Sequence, residues 1–243
     1  MYKLMDKVSI IIPTYNRFNF LLNTIKSVKE QTYKNIEIIV INDCSTQKEY
    51  YEYNFDNDII IINLKENSKK IFGFACANYV RNEGIKISTG KYIAFCDDDD
   101  IWFPSKLELQ IKFMNETKCK MSCTEGLIGS GIYNDNLSYK KYNSDHYFNI
   151  LKNIYRKHGY YILENGFPKI WDLKFLKIHN CCITSSVIVD KNILVKYDCV
   201  KNEPNGTADD YRIWLRAMEY TNCVYVDDIC FYYDDGHGNG QDY

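Results

Sequence analysis

The chain has 243 residues, 46% of them hydrophobic and 15% aromatic, which is enough apolar surface for one large core and too much for a disordered chain. Its 30 Lys and Arg stand against 32 Asp and Glu, a formal net charge of −2, which excludes a protein whose main task is neutralising nucleic-acid phosphates. No run approaches the ~18 apolar residues of a membrane span.

The first 17 residues, MYKLMDKVSIIIPTYNR, lack the apolar core of an export signal. A cytoplasmic protein is expected, touching a membrane peripherally if at all, with its ten cysteines held as reduced thiols. No C-x-x-C occurs, and neither Cys119 with Cys123 nor Cys181 with Cys182 has zinc-site spacing.

VSIIIP (8–13) is short and β-branched and reads as a buried strand. FNFLLNTIKSVKEQ (18–31) sets Leu22, Ile25 and Val28 at helical spacing and leaves Lys26, Lys29 and Glu30 for the wet face. IEIIVI (36–41) and IIIINL (59–64) read as the second and third strands. ACANYVRNEGIKIS (75–88) is a helix stopped near Gly90, and KYIAFC (91–96) is the fourth strand. PSKLELQIKFMNE (104–116) is the next helix, with Pro104 in its first turn.

Residues 126–180 are rich in Tyr, Asn, Lys and Gly with weak periodicity and are expected to form loops and short elements, a lid or an acceptor surface. ITSSVIVD (183–190) reads as a strand, and TADDYRIWLRAMEY (207–220) as an amphipathic helix capped by Thr207. The tail YYDDGHGNGQDY is glycine-rich and expected to stay loose until something binds. The alternation predicts an α/β fold in one domain, a mostly parallel central sheet flanked by helices, with halves 1–117 and 118–243. Ligands of such sheets sit at the carboxyl ends of the strands, where TYNR, NDCS and DDDD should converge.

Four adjacent carboxylates, Asp97 to Asp100, demand a positive partner, because burying any of them unpaired is costly. If the extended backbone continues, Asp97 and Asp99 face one side while Asp98 and Asp100 face the other. Two carboxylates at that spacing beside a phosphate suit Mn²⁺ or Mg²⁺. Attraction to the following helix N-terminus is the competing reading, and it suits Asp100 best.

In this order and spacing, VSIIIPTYNR, IEIIVINDCS and ANYVRNEGIKISTGKYIAFCDDDDIW resemble the nucleotide-sugar-binding half of family 2 glycosyltransferases, which have the GT-A fold. ITSSVIVD and TADDYRIWLR resemble, more weakly, that family's acceptor-side strand and catalytic-base helix. The resemblance implies an inverting, metal-dependent transfer from a nucleotide-diphosphate sugar, a UDP-sugar, to a hydroxyl of a glycan, lipid-linked or protein acceptor.

It places Pro13, Thr14, Tyr15, Asn16 and Arg17 against the nucleotide, Asp43 on its base or ribose, and Arg81, Asp97 and Asp98 at the donor. Asp99, Asp97 and His237 would hold Mn²⁺ or Mg²⁺, and Asp210, the second acid of Asp209 and Asp210, would be the general base. Competing readings stand beside these: Asp43 as a turn former, Arg81 as a helix-surface charge, Asp210 as a capping-box partner of Thr207, and His237 as a solvated tail residue.

One stretch departs from the family pattern. Many relatives carry a tyrosine, an arginine and then a histidine in the tail, whereas Tyr232 and Tyr233 are followed here by Asp234 and Asp235. Neutralising a diphosphate then falls to the metal and to Arg17 or Arg81. Two other functions share part of the pattern. A sugar nucleotidyltransferase needs a glycine-rich basic loop after the first strand, and PTYNRFN has no glycine. A catalytically silent nucleotide-sugar or carbohydrate-binding module would share the whole donor half.

Overall fold

Isoleucine and valine runs that are apolar on both faces pair with one another in the sheet interior, and a less buried run of the same kind, Ile59–Asn63, closes one edge. In the computed structural model, which describes residues 5–197 and 210–236, four such runs form β1 (Val8–Thr14), β2 (Ile36–Asn42), β3 (Ile59–Asn63) and β4 (Tyr92–Phe95). They are joined by β5 (Ile101–Trp102), β6 (Met121–Gly129), β7 (Lys140–Lys141), β8 (Ile170–Trp171), β9 (Ile188–Asp190) and β10 (Cys223–Asp234).

The strand order is β3-β2-β1-β4-β9-β6-β10-β5, with β7 beside β6 and β8 beside β10. β1 pairs parallel with both β2 and β4, and β2 parallel with β3, so the expected parallel arrangement holds through the first half. Beyond β4 the sheet becomes mixed: β9 runs antiparallel to β4 and to β6, while β6 and β10 are parallel.

Helices cover both faces. Ile11, Ile39, Ile41, Ile93 and Phe95 pack on one side against Val80 and Ile85 of α4 (Ala77–Ile87) and against Ile213 and Trp214 of α9 (Asp210–Met218). Ile10, Ile12, Val40 and Ala94 pack on the other against Leu21, Ile25 and Val28 of α1 (Phe18–Lys29) and Leu107, Ile111 and Met114 of α5 (Lys106–Thr117). The period of two within each strand thus divides one sheet between two cores. Where α4 crosses β1 and β2, a Cβ on Gly84 would stand 2.5 Å from Ile41 Cδ1 and 2.9 Å from Ile11 Cγ2, so only glycine lets the helix approach this closely.

Three short helices lie elsewhere: α2 (Glu49–Glu52) and α3 (Ser68–Phe72) on either side of β3, and α8 (Lys191–Lys196) after β9. Residues 126–180 are more than a lid. A π-helical turn (Tyr142–Tyr147), α6 (Phe148–Lys157), a 3-10 turn (Ile162–Asn165), β8 and α7 (Leu173–Ile178) bury Leu151, Tyr155, Leu163, Trp171, Phe175 and Leu176 in the core. Aromatic rings there each cover a large area from a short element, as where Trp171 stacks on Tyr225 at 4.7 Å between centroids.

ITSSVIVD is strand only from Ile188; Thr184–Ser186 form a buried 3-10 turn instead. The expected cap Thr207 lies outside the described residues. All nine cysteines among the described residues are free thiols, eight of them buried. No helix among the described residues is long and apolar enough to cross a membrane.

Candidate active site

Three loops leave the carboxyl ends of β1, β2 and β4 together, as the parallel order requires. Of the first-loop candidates, Pro13 and Thr14 are buried residues of β1, and Thr14 Oγ1 sits 2.6 Å from the Tyr50 hydroxyl. Asn16 takes a left-handed backbone, φ 52°, which asparagine tolerates. Its N–H donates to Ser45 Oγ at 2.9 Å and its Oδ1 accepts from Thr46 N at 2.8 Å, so it staples the first loop to the second. Tyr15 and Arg17 remain partly exposed at the rim.

Asp43, expected from sequence at the donor base or ribose, is fully buried at the carboxyl end of β2. Its Oδ1 accepts from Ser68 N at 2.8 Å, and its Oδ2 accepts from Ser68 Oγ at 2.6 Å and from Asn67 Nδ2 at 3.2 Å. Burial raises its pKa, and the Ser68 bonds hold it partly down. The carboxylate thereby fixes the start of α3, 25 residues further along the chain.

The acid run corrects an expectation. The backbone does not stay extended: Asp100 N donates to Asp97 O at 3.3 Å, closing a turn, so the four side chains do not alternate. Arg81 Nη2 lies 2.5 Å from Asp97 Oδ1, and Arg17 Nη1 lies 2.7 Å from Asp99 Oδ2 and 3.5 Å from Asp98 Oδ1. The positive partners that the run demands are therefore two guanidiniums.

Asp100 is not a helix cap either. It is fully buried, its Oδ1 accepts from Asp234 N at 3.0 Å, and α5 begins at Lys106 after Ser105. Two arginines do not balance this much charge. Burial, then Asp98 and Asp97, push Asp99 up to about 8 against the pull of Arg17. Burial pushes Asp98 up to about 6, opposed by Arg17, and pushes Asp100 well above the ordinary range. Asp98 Oδ2 and Asp100 Oδ2 are buried with no hydrogen-bond partner.

Hard carboxylate oxygens in charge excess suit a divalent cation. Among the described residues no three His, Cys, Asp or Glu side chains form a ready cage. Asp97 and Asp99, the two acids expected from sequence to hold such a cation, are each paired with an arginine here.

From the far end of the chain α9 brings Asp210 to this crevice. Asp210 Oδ2 accepts a hydrogen bond from Thr184 Oγ1. Burial raises its pKa, Thr184 and Arg81 oppose the rise, and Asp97 adds to it, so Asp210 lies within the field of the Arg81–Asp97 pair. Asp209 and His237 fall outside the described residues. The tail is ordered as strand through Asp234, whose Oδ1 accepts from Gly131 N and Gly236 N, each at 2.8 Å.

Sequence reasoning missed Glu125. It is fully buried on β6 and accepts from Asn143 N and Ser144 N at the start of the π-helical turn, each at 2.9 Å, and from the Tyr225 hydroxyl at 3.0 Å. That turn carries Tyr142, which packs edge-on to Tyr233 at 5.8 Å beside Asp210. A lone glutamate inside the apolar run MSCTEGLIG was the available signal.

Comparison with known proteins agrees with this layout. The profile described as "Glycosyl transferase family 2" matches residues 9–191. Over 219 residues the chain is 30% identical to the UDP-Glc:alpha-D-GlcNAc-diphosphoundecaprenol beta-1,3-glucosyltransferase WfgD of Escherichia coli, covering 88% of this chain and 71% of that protein. Over 123 residues it is 47% identical to an uncharacterized glycosyltransferase of Rickettsia bellii (strain RML369-C), covering 49% of this chain and 16% of that one. The chain spans 16 to 32% of the lengths of four Rickettsia glycosyltransferases it matches at 37 to 47% identity. Among solved structures, S. aureus TarS 1-349 in complex with UDP-GlcNAc superposes with a TM-score of 0.66 over 96% of this chain and 60% of that chain. At 18% identity this supports the fold.

Proposed function

The chain belongs to glycosyl transferase family 2, and from that premise we propose that it transfers a sugar, with inversion, from a UDP-sugar to an acceptor hydroxyl, with Asp210 as general base. The observation that carries this reading is that Asp210, half-buried at the start of the last helix and held by Thr184, lies within the field of the Arg81–Asp97 pair at the strand ends. Groups more than 100 residues apart in the chain meet where a nucleotide-sugar would lie.

In this reading the acceptor O–H gives its proton to Asp210, and the oxygen attacks the anomeric carbon as the bond to the diphosphate breaks. UDP leaves from the opposite face. Burial strengthens the base, because a carboxylate held away from water takes a proton more readily. Arg17 and Arg81, held by the acid loop, would offset the charge of the diphosphate, and Tyr15 would border the nucleotide. Asp97 and Asp99 would hold Mn²⁺ or Mg²⁺, which as a Lewis acid offsets the charge that develops on the leaving group. Asp43 shapes the base side indirectly, through Ser68.

The likeness to WfgD supports a UDP-sugar donor and a lipid-diphosphate-linked glycan acceptor. The chain acts as a single domain, with 1–117 on the donor side and 118–243 on the acceptor and base side. UDP release from UDP-glucose and UDP-GlcNAc with Mn²⁺ tests the proposal, with and without glycan acceptors. Turnover that Asp210→Asn lowers supports it; nucleotide binding without turnover across acceptors would identify a silent binding module instead.

A further inference from the structure

Three consecutive hydroxyl side chains, Thr184, Ser185 and Ser186, lie in one 3-10 turn between the acid loop and α9, and all three residues are buried. Buried hydroxyls are retained at a cost unless each has a partner, and here each has one. Thr184 Oγ1 donates to Asp210 Oδ2. Ser185 Oγ accepts from Asp97 N at 2.9 Å. Ser186 Oγ donates back to Ile183 O at 2.6 Å, closing the turn on itself.

The turn is also held from behind. Gln110 of α5 donates from Nε2 to Ser186 O and to Ser122 Oγ, each at 2.9 Å, and its Oε1 accepts from the buried Lys106 Nζ at 2.6 Å. At the turn's exit Val187 O accepts from Phe95 N, the last residue of β4, at 3.2 Å. One rigid turn therefore touches the donor-side loop through Ser185 and the acid of α9 through Thr184. Both contacts come from adjacent residues, so the spacing between the two sites is set by a single peptide unit.

We propose that the Thr184–Ser186 turn is the positioning element of the site: Thr184 fixes the carboxylate of Asp210 while Ser185 fixes the backbone of the acid loop at Asp97. This deepens the transfer reading above and rests on it for the role of Asp210. Thr184 is a positioning residue, acting on the reaction through the group it orients.

The test pairs Thr184→Val, which keeps shape and removes the hydroxyl, with Thr184→Ser, which keeps the hydroxyl. UDP release from a UDP-sugar with Mn²⁺ should fall about 10- to 100-fold in kcat for Thr184→Val, a usual size when an orienting partner of a functional group is lost, with the donor KM unchanged. Thr184→Ser should restore kcat to within about threefold. Adding Thr184→Val to Asp210→Asn should cost nothing more, since the two act through one group.

Crystal structures of both variants give a readout independent of turnover: the Asp210 carboxylate should leave its place in Thr184→Val and keep it in Thr184→Ser. A wild-type kcat in Thr184→Val, equal impairment of the Val and Ser variants, or an unmoved Asp210 would overturn the proposal. Wild-type protein inert toward every UDP-sugar would instead remove the transfer reading, and the two crystal structures would still decide what Thr184 does to Asp210.

Discussion

The two ends of the parallel strands treat acids in opposite ways. At the amino end, Glu37 on β2 accepts from Ser9 Oγ at 2.5 Å, Thr89 N at 2.6 Å, Thr89 Oγ1 at 2.8 Å and Gly90 N at 3.1 Å, with Lys7 Nζ at 2.8 Å. Burial alone would raise its pKa, but the bonds from Lys7, Ser9 and Thr89 win and pull it down to about 2. At the carboxyl end, Asp98 and Asp99 are pushed up to about 6 and about 8 although Arg17 touches both. One acid is given more donors than it needs and ties β1, β2 and the turn into β4 together. The others are crowded beyond what their partners offset, a pattern that marks candidate functional sites.

The largest effect that sharpens this contrast is expected at Asp210. Asp210→Asn should lower UDP-sugar turnover by about 10² to 10⁴, the range for losing a general base, while UDP still raises the melting temperature. Next comes Asp99→Ala. In the wild type, UDP with Mn²⁺ at 100 times its dissociation constant should add about 2.7 kcal/mol of stability. The variant should keep only the Mn²⁺-independent part of that shift; an undiminished Mn²⁺ effect would place the cation elsewhere.

Glu37→Gln should destabilise the fold by about 1–3 kcal/mol, because buried donors lose a charged acceptor, and leave turnover unchanged. Its pH signature has a definite sign. The folded-state pKa lies below the unfolded one, so the contribution is present above the ordinary glutamate value of 4.5 and is lost as pH falls toward about 2. Acid melts of wild type and Glu37→Gln should therefore converge across that window. The smallest effect is expected at Asp100→Asn. Ionisation there is already opposed by burial, so the change should cost less than Glu37→Gln in the same denaturation assay.

The amino-terminal half was legible because β1, β2 and β4 are buried on both faces and its helices keep a clear period, so the residues after those strands could be placed together from the alternation alone. Less of the second half was, and the reasons are local. β10, CVYVDDICFYYD, shifts register against β6 between Val226 and Ile229 and again between Ile229 and Tyr232, which destroys the alternation that marks a strand. β6 carries the buried Glu125, which reads as a solvent residue until the π-helical turn that it anchors is seen. In the site, residue identities were readable and pairings were not. Arg17 and Asp99 are 82 positions apart, and the Ser68 contacts that enclose Asp43 come from a short helix that sequence reading left unassigned.

Gly84 lies three residues after Arg81 on α4, on the side pressed against Ile11 and Ile41. A single methyl group there would meet those isoleucines well inside van der Waals distance, and the relief open to the helix is to ride outward, carrying the guanidinium away from Asp97. The charge pattern of the crevice is thus tuned by the thickness of the hydrocarbon layer beneath it, and a position with no side chain of its own acts as a shim for an ion pair one helical turn away.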